Sequence, residues 1–251
     1  FESGLLIIGI FAIAFTFAPV GMGGGMLFVP LLHYGADWPI DGTLLAVSLG
    51  LTAVVSYGSG LAHRREGHHD DAAIRSGLNG AVPGAILGVG IVVMLGNNLD
   101  PVFKTVSVIM LAWAAVKTQR KMATLRTTKD EEAEEVDGIV NQLALRVGTG
   151  IGGLLSSVLA IGAGVIYVPV LQQIGRLETR KAIGSSLHLM MVVVPVAIVT
   201  HLLFLSAGEW QALREQMVLV LLLPLAAYVG STMGARFGLK YMSQISIMRV
   251  F

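Results

Sequence analysis

Long apolar stretches alternate with short charged clusters along the 251 residues. No Asp, Glu, Lys or Arg occurs in 4–36, 42–63, 76–99, 147–175, 182–208 or 216–235. A charge at the centre of a membrane helix costs about 2.5–3.5 kcal/mol on insertion scales. A span takes about 20 apolar residues. The pattern predicts eight apolar segments: 4–34, 40–62, 73–96, 101–117, 143–173, 181–206, 214–236 and 239–251. The last has 13 residues and is read as a helix cut by the end of the sequence. Segments 4–34 and 143–173 have 31 residues each. A continuous helix of that length would measure about 46 Å, against a hydrocarbon core of about 30 Å. Both segments contain glycine runs and proline, so each is expected as a broken or re-entrant helix.

Composition narrows the class. Charged residues make up 13% and hydrophobic residues 54%, where a soluble domain carries about 25% charged residues. A disordered chain and an ordinary soluble fold are both excluded. Residues 1–35 lack the basic start of a secretory signal peptide. The sequence begins without Met and is read as trimmed. The net charge of +1 and the lack of a basic stripe give no sign of nucleic acid. With no cysteine, disulfides, thiol catalysis and Cys-ligated metals are excluded. No Gly-Lys-Ser/Thr loop points to a self-contained ATP-driven pump, and no cofactor is expected.

The chain repeats itself. Gly23-Gly24-Gly25-Met26-Leu27-Phe28-Val29-Pro30-Leu31-Leu32 aligns with Gly162-Ala163-Gly164-Val165-Ile166-Tyr167-Val168-Pro169-Val170-Leu171 at an offset of 139. Val47-Ser48-Leu49 aligns with Ser185-Ser186-Leu187, and His63 with His201, at 138. Pro83 and Pro224 align at 141, each ahead of a small-residue pair, Gly84/Gly88 and Gly230/Gly234. The division is therefore an N-terminal membrane repeat over 1–116, a charged cytoplasmic linker over 117–142 and a C-terminal membrane repeat over 143–251. Internal duplication is typical of secondary transporters. The Gly-rich runs ending in Val-Pro, the Ser-Leu and Ser-Ser-Leu elements, and their repetition resemble the TauE/SafE family of sulfite and organosulfonate permeases. The resemblance covers nearly the whole chain. It implies a bacterial or archaeal inner-membrane carrier for small sulfur-containing anions. At Val47 the sequence departs from the family, where a hydroxyl residue is common; Ser185 retains one.

Two topologies are open. If the Gly-rich segments cross fully, the repeats are parallel, with 10 basic residues inside and 5 outside. If they re-enter, the repeats are inverted, with 14 inside and only Arg214 outside. The positive-inside rule favours the second. The expected fold is an all-α integral membrane protein of two homologous, inverted repeats with broken or re-entrant helices.

A helix broken at membrane depth exposes backbone N–H groups and a positive dipole end. Two such ends can hold an anion without a buried cation. The candidate substrate-binding set is Gly23, Gly24, Gly25, Gly162 and Gly164, with the hydroxyls Ser48, Thr52, Ser185 and Ser186. His188, three residues after Ser185, shares its helical face and is a candidate anion donor or proton relay. The remaining motifs receive structural readings. Gly84/Gly88, Gly230/Gly234 and Gly148/Gly152 are packing contacts. His63 and His201 are interfacial, and Lys104 snorkels. Phe28 and Tyr167 are core. His68-His69-Asp70-Asp71 is a solvated loop rather than a metal cluster. Partners are a small sulfur anion and lipid, with possible proton coupling; oligomeric state is not encoded. A channel is the alternative function. An intramembrane serine protease using Ser185 or Ser186 with His201 is a poor third, because no glycine follows either serine and the duplication would be unexplained.

Overall fold

The structure is a computed structural model that describes residues 2–21, 23–110, 112, 116 and 140–241. The charged linker, apart from its last three residues, and most of the final apolar segment lie outside the described residues. The described elements are α1 (Glu2–Phe17), a short 3-10 turn (Ala18–Val20), α2 (Gly25–Ala36), α3 (Gly42–Arg65) and α4 (Asp71–Leu95). A helical run over 99–110, α5, follows. The second half holds α6 (Gln142–Leu159), α7 (Gly164–Gln173), α8 (Thr179–Phe204), α9 (Ala207–Glu215) and α10 (Met217–Tyr241). Among the described residues there is no strand. Five helices, α3, α4, α6, α8 and α10, are long and apolar enough to cross a membrane. The protein is an all-α membrane protein.

Local chemistry sets the helix starts. Asp41, Asp70 and Asn141 cap α3, α4 and α6, each side chain accepting from the N–H three residues on, at 3.0, 2.7 and 3.0 Å. Helix α9 escaped the apolar pattern. It begins with a capping box in which Ser206 Oγ accepts from Glu209 N–H and Glu209 Oε2 from Ser206 N–H.

Segments 4–34 and 143–173 are indeed broken, the first directly after the 3-10 turn that holds Pro19, but neither at its matched proline. Pro30 and Pro169 each sit inside a helix, in α2 and α7. The breaks fall at left-handed residues: Gly21, Gly23 and Gly24 in the first, Ala160, Gly162 and Ala163 in the second. These three positions match pairwise at the sequence offset of 139. After each break the chain folds back. Leu31 of α2 lies against Gly9 of α1, and Leu6 against Gly35. Tyr167 of α7 lies against Gly152 of α6, and Val170 against Gly148. Both pairs are antiparallel hairpins.

Glycines lock the hairpins against long helices. A Cβ on Gly80, Gly84 or Gly88 of α4 would run into the carbonyls of Arg146, Gly150 and Leu154 of α6. A Cβ on Gly230 or Gly234 of α10 would run into the carbonyls of Phe11 and Phe15 of α1. Both series advance by four on each helix, so α4 runs parallel to α6, and α10 to α1. Small residues let the backbones approach this closely, as expected for these pairs. The contacts also revise the repeat register. Gly84 and Gly230 meet equivalent carbonyls although they lie 146 residues apart. Inserting α9 moved Pro224 out of step with Pro83.

The chain order now fixes directions. Helix α3 starts beside α9, where Gly42 N–H donates to Glu209 Oε1 at 3.0 Å. Helix α8 starts beside the 66–70 loop, where Asp70 N–H donates to Ser185 Oγ at 2.9 Å. The α1/α2 hairpin enters from the α9 end and the α6/α7 hairpin from the loop end. Helices α3 and α8 pack between them.

Candidate functional site

The two hairpin tips meet. A Cβ on Gly23 would stand 3.0 Å from Thr52 Cγ2 and 3.5 Å from Met190 Sδ. A Cβ on Gly162 would meet the same two atoms, Thr52 Cγ2 and, at 3.1 Å, Met190 Sδ. Thr52 and Met190 are themselves matched at 138. A Cβ on Gly25 would lie 2.6 Å from Thr52 Oγ1 and 2.8 Å from the Ala160 carbonyl. Thr52 is the eleventh residue of the 24 in α3, and Met190 the twelfth of the 26 in α8. The meeting point is therefore midway along α3 and α8.

Matched serines hold the tips in place. Ser48 Oγ donates to the Ala160 carbonyl at 3.1 Å, and Ser186 Oγ donates to the Gly21 carbonyl at 3.2 Å. Each serine therefore secures the broken helix of the other half. Ser48, Thr52 and Ser186 are fully buried. The expectation that Ser48 and Ser186 offer their protons to a ligand is revised: in this closed arrangement both protons are spent on carbonyls. Thr52 is different. Its Oγ1 is buried and has no hydrogen-bond partner.

Helices α2 and α7 both start at this point. Their N-caps, Gly24 and Ala163, are left-handed and supply no side-chain cap. The first N–H groups of a helix lack internal acceptors, and each helix start carries about half a positive charge. Gly25 and Gly164 are the first residues of these two helices. The centre thus brings together two positive dipole ends and one free hydroxyl, in stretches of α3 and α8 that contain no Asp, Glu, Lys or Arg deeper than Arg64 and Lys181. It can replace the hydration shell of an anion without a cation.

Of the ten expected site residues, eight gather here: Gly23, Gly24, Gly25, Ser48, Thr52, Gly162, Gly164 and Ser186. Ser185 and His188 do not. They share a face, as their spacing requires, but it meets the 66–70 loop. Ser185 Oγ takes the Asp70 N–H, and the His188 ring stacks on His69 with centroids 5.5 Å apart. A Cβ on Gly184 would strike the His68 carbonyl, so the loop rests directly on α8. His68-His69-Asp70-Asp71 is therefore not simply solvated. Asp70 caps α4, and His69 is half-buried against α8. Burial, then the charge of Arg180, lowers the pKa of His68. No metal-binding group of three or more side chains occurs among the described residues.

At the opposite end a cavity of about 430 Å³ is lined by Asp41, Asp100, His201, Ser206 and Glu209, among others. Burial and the nearby Glu209 push the Asp41 carboxyl up, against the lowering pull of the Leu44 N–H. Thr43 Oγ1 donates to the Glu209 carbonyl at 3.2 Å. His201 Nε2 donates to the Ser157 carbonyl at 3.1 Å. Phe28 and Tyr167 are fully buried in the core, and Lys104 is exposed, paired with Asp100 at 2.9 Å. The residues missed from sequence are Met190, Gly21, Ala160 and Glu209. The first three are the 138- and 139-offset partners of Thr52, Ala160 and Gly21, so the alignment itself carried that signal.

Membrane-length helices around two hairpins that meet at mid-helix define a multi-pass membrane protein. The family model for sulfite exporter TauE/SafE matches residues 5–251, and the chain belongs to that family. No curated protein and no solved structure matches the chain.

Proposed function

We propose that the protein is a secondary carrier of small sulfur-containing anions such as sulfite or organosulfonates, working by alternating access around the centre between the hairpin tips. The observation that carries this is the unpartnered, buried Thr52 hydroxyl placed where two uncapped helix starts converge. The anion sits against the first-turn N–H groups of α2 and α7 and accepts the Thr52 proton. No buried cation is needed to hold it.

Two latches close the centre, one at each end, and both join the halves. At one end the 66–70 loop of the first half rests on Gly184, Ser185 and His188 of α8. At the other, Glu209 of the second half holds Gly42 and Thr43 of α3. Opening one while the other stays shut exposes the centre to one side only.

The inverted arrangement is supported by the hairpins entering from opposite ends. It is supported again by the 66–70 loop, which follows Arg64 and Arg65 at the end of α3, lying against the α8 start, which carries Arg180 and Lys181. The positive-inside rule makes that end cytoplasmic. Since the chain has no cysteine, one introduced as Arg176→Cys reports the side cleanly. An impermeant thiol reagent outside intact cells is expected to leave it unlabelled; efficient labelling would sink the inversion. The function itself is tested by counterflow in proteoliposomes. A carrier loaded with unlabelled sulfite draws labelled sulfite inward and saturates, whereas a channel shows no counterflow.

A further inference from the structure

The centre is symmetric in its glycines and asymmetric in one matched pair. Gly23 and Gly162 contact the same two side chains. Those side chains occupy equivalent positions, yet one is Thr52 and the other is Met190. Thr52 turns its methyl to Gly23 and Gly162 and its unpartnered hydroxyl to Gly25, the first residue of α2; Met190 turns a thioether to Gly23 and Gly162, which has no proton to donate.

We propose that Met190 is a specificity-determining residue that reads the fourth apex of an SO3 group and rejects oxygen there. This rests on the reading of the centre as the transport site. The ligand lies with oxygens toward Thr52 Oγ1 and the helix starts, and its remaining apex on Met190 Sδ. In sulfite that apex is the sulfur lone pair, in a sulfonate a carbon, in thiosulfate a second sulfur. All three are soft or apolar and gain dispersion contact with a polarisable thioether. In sulfate it is a charged oxygen. That oxygen would shed its water against Met190 and find no donor in exchange. Ser48 and Ser186 cannot make up the loss, because their protons are held by the Ala160 and Gly21 carbonyls. Met190 is itself fully buried, so water cannot stand in.

The test compares thiosulfate with sulfate, two dianions that differ only at that apex, by calorimetry on the purified full chain; methanesulfonate and sulfite serve as further probes. The wild type is expected to favour thiosulfate by about ten-fold or more, the scale on which one unmatched contact discriminates. Met190→Thr is expected to cut that ratio about ten-fold by raising sulfate affinity, while Met190→Leu keeps it. Should Met190→Thr fail to fold, Met190→Gln supplies a donor at the same place with closer bulk. An unchanged ratio in the donor-bearing variant, or a wild type that prefers sulfate, overturns the proposal. Thr52→Val separates the two levels. If it removes binding of both dianions while the ratio ignores position 190, the site reading stands and the role of Met190 falls. If it leaves both affinities intact, the centre is not the site and both fall.

Discussion

Thr52→Val is expected to lower anion transport by at least about 100-fold, on the scale seen when one essential donor is removed from a preorganised site, while the protein becomes more stable. Both effects come from one atom. Thr52 Oγ1 is buried without a partner, and an unsatisfied buried hydroxyl costs about 1–3 kcal/mol. Valine keeps the shape, including the methyl that touches Gly23 and Gly162, and removes that cost. The same exchange leaves a bound anion with one donor fewer in a site that has no side-chain cation. A pure packing role predicts the same gain in stability with little change in transport. Counterflow rates and thermal unfolding of the same preparation decide the matter. Wild-type transport, or a lower unfolding temperature, would remove Thr52 from the site.

The second large effect concerns the 66–70 loop. Asp70→Cys together with Ser185→Cys is expected to stop transport when oxidised and to recover on reduction. The Asp70 N–H lies 2.9 Å from Ser185 Oγ. Adding the bonds back to each Cα bounds their separation at about 6.8 Å, within the range that a disulfide spans. The bond would tie the α3–α4 loop to α8 and keep that latch shut. Loss of the Asp70 cap costs the reduced protein about 0.5–2 kcal/mol, so each single variant is the proper baseline. The absence of native cysteine leaves no competing pair. If the oxidised double variant transports as fast as the reduced one, the loop does not move during the cycle.

Much of this was legible in the residues. The charge-free windows gave the long helices to within a few positions, because charge is so costly in lipid. The duplicated glycine runs located both breaks. Other features were hidden for identifiable reasons. Ser185 and Ser186 are neighbours, so a helix turns them about 100° apart; one faces the hairpin tip and the other the loop, and spacing alone does not say which. The matched prolines drew attention as helix breakers. Yet Pro30 and Pro169 lie in the second turn of α2 and α7, where each helix accommodates them. The left-handed residues that do break the chain include Ala160 and Ala163, which no propensity scale would choose. Met190 lies in an apolar run of α8 and is set apart only by its repeat partner, Thr52. Helix α9 was announced only by Ser206 and Glu209, a capping box lost between two apolar runs.

The left-handed alanines have a consequence for how the molecule rests. In a carrier whose halves exchange roles between its inward and outward forms, identical halves would make those forms equal in energy. The resting population would then be even. Only the differences between the halves can tilt it. Ala160 and Ala163 each carry a φ near +50°, at positions where the first half has Gly21 and Gly24. A left-handed alanine costs about 1–2 kcal/mol, so one tip is held under tension and its twin is relaxed. Whichever form relieves that tension is favoured by up to about 30-fold per residue. In the alternating-access cycle proposed above, these two methyl groups would act as a spring that biases the side on which the empty protein waits.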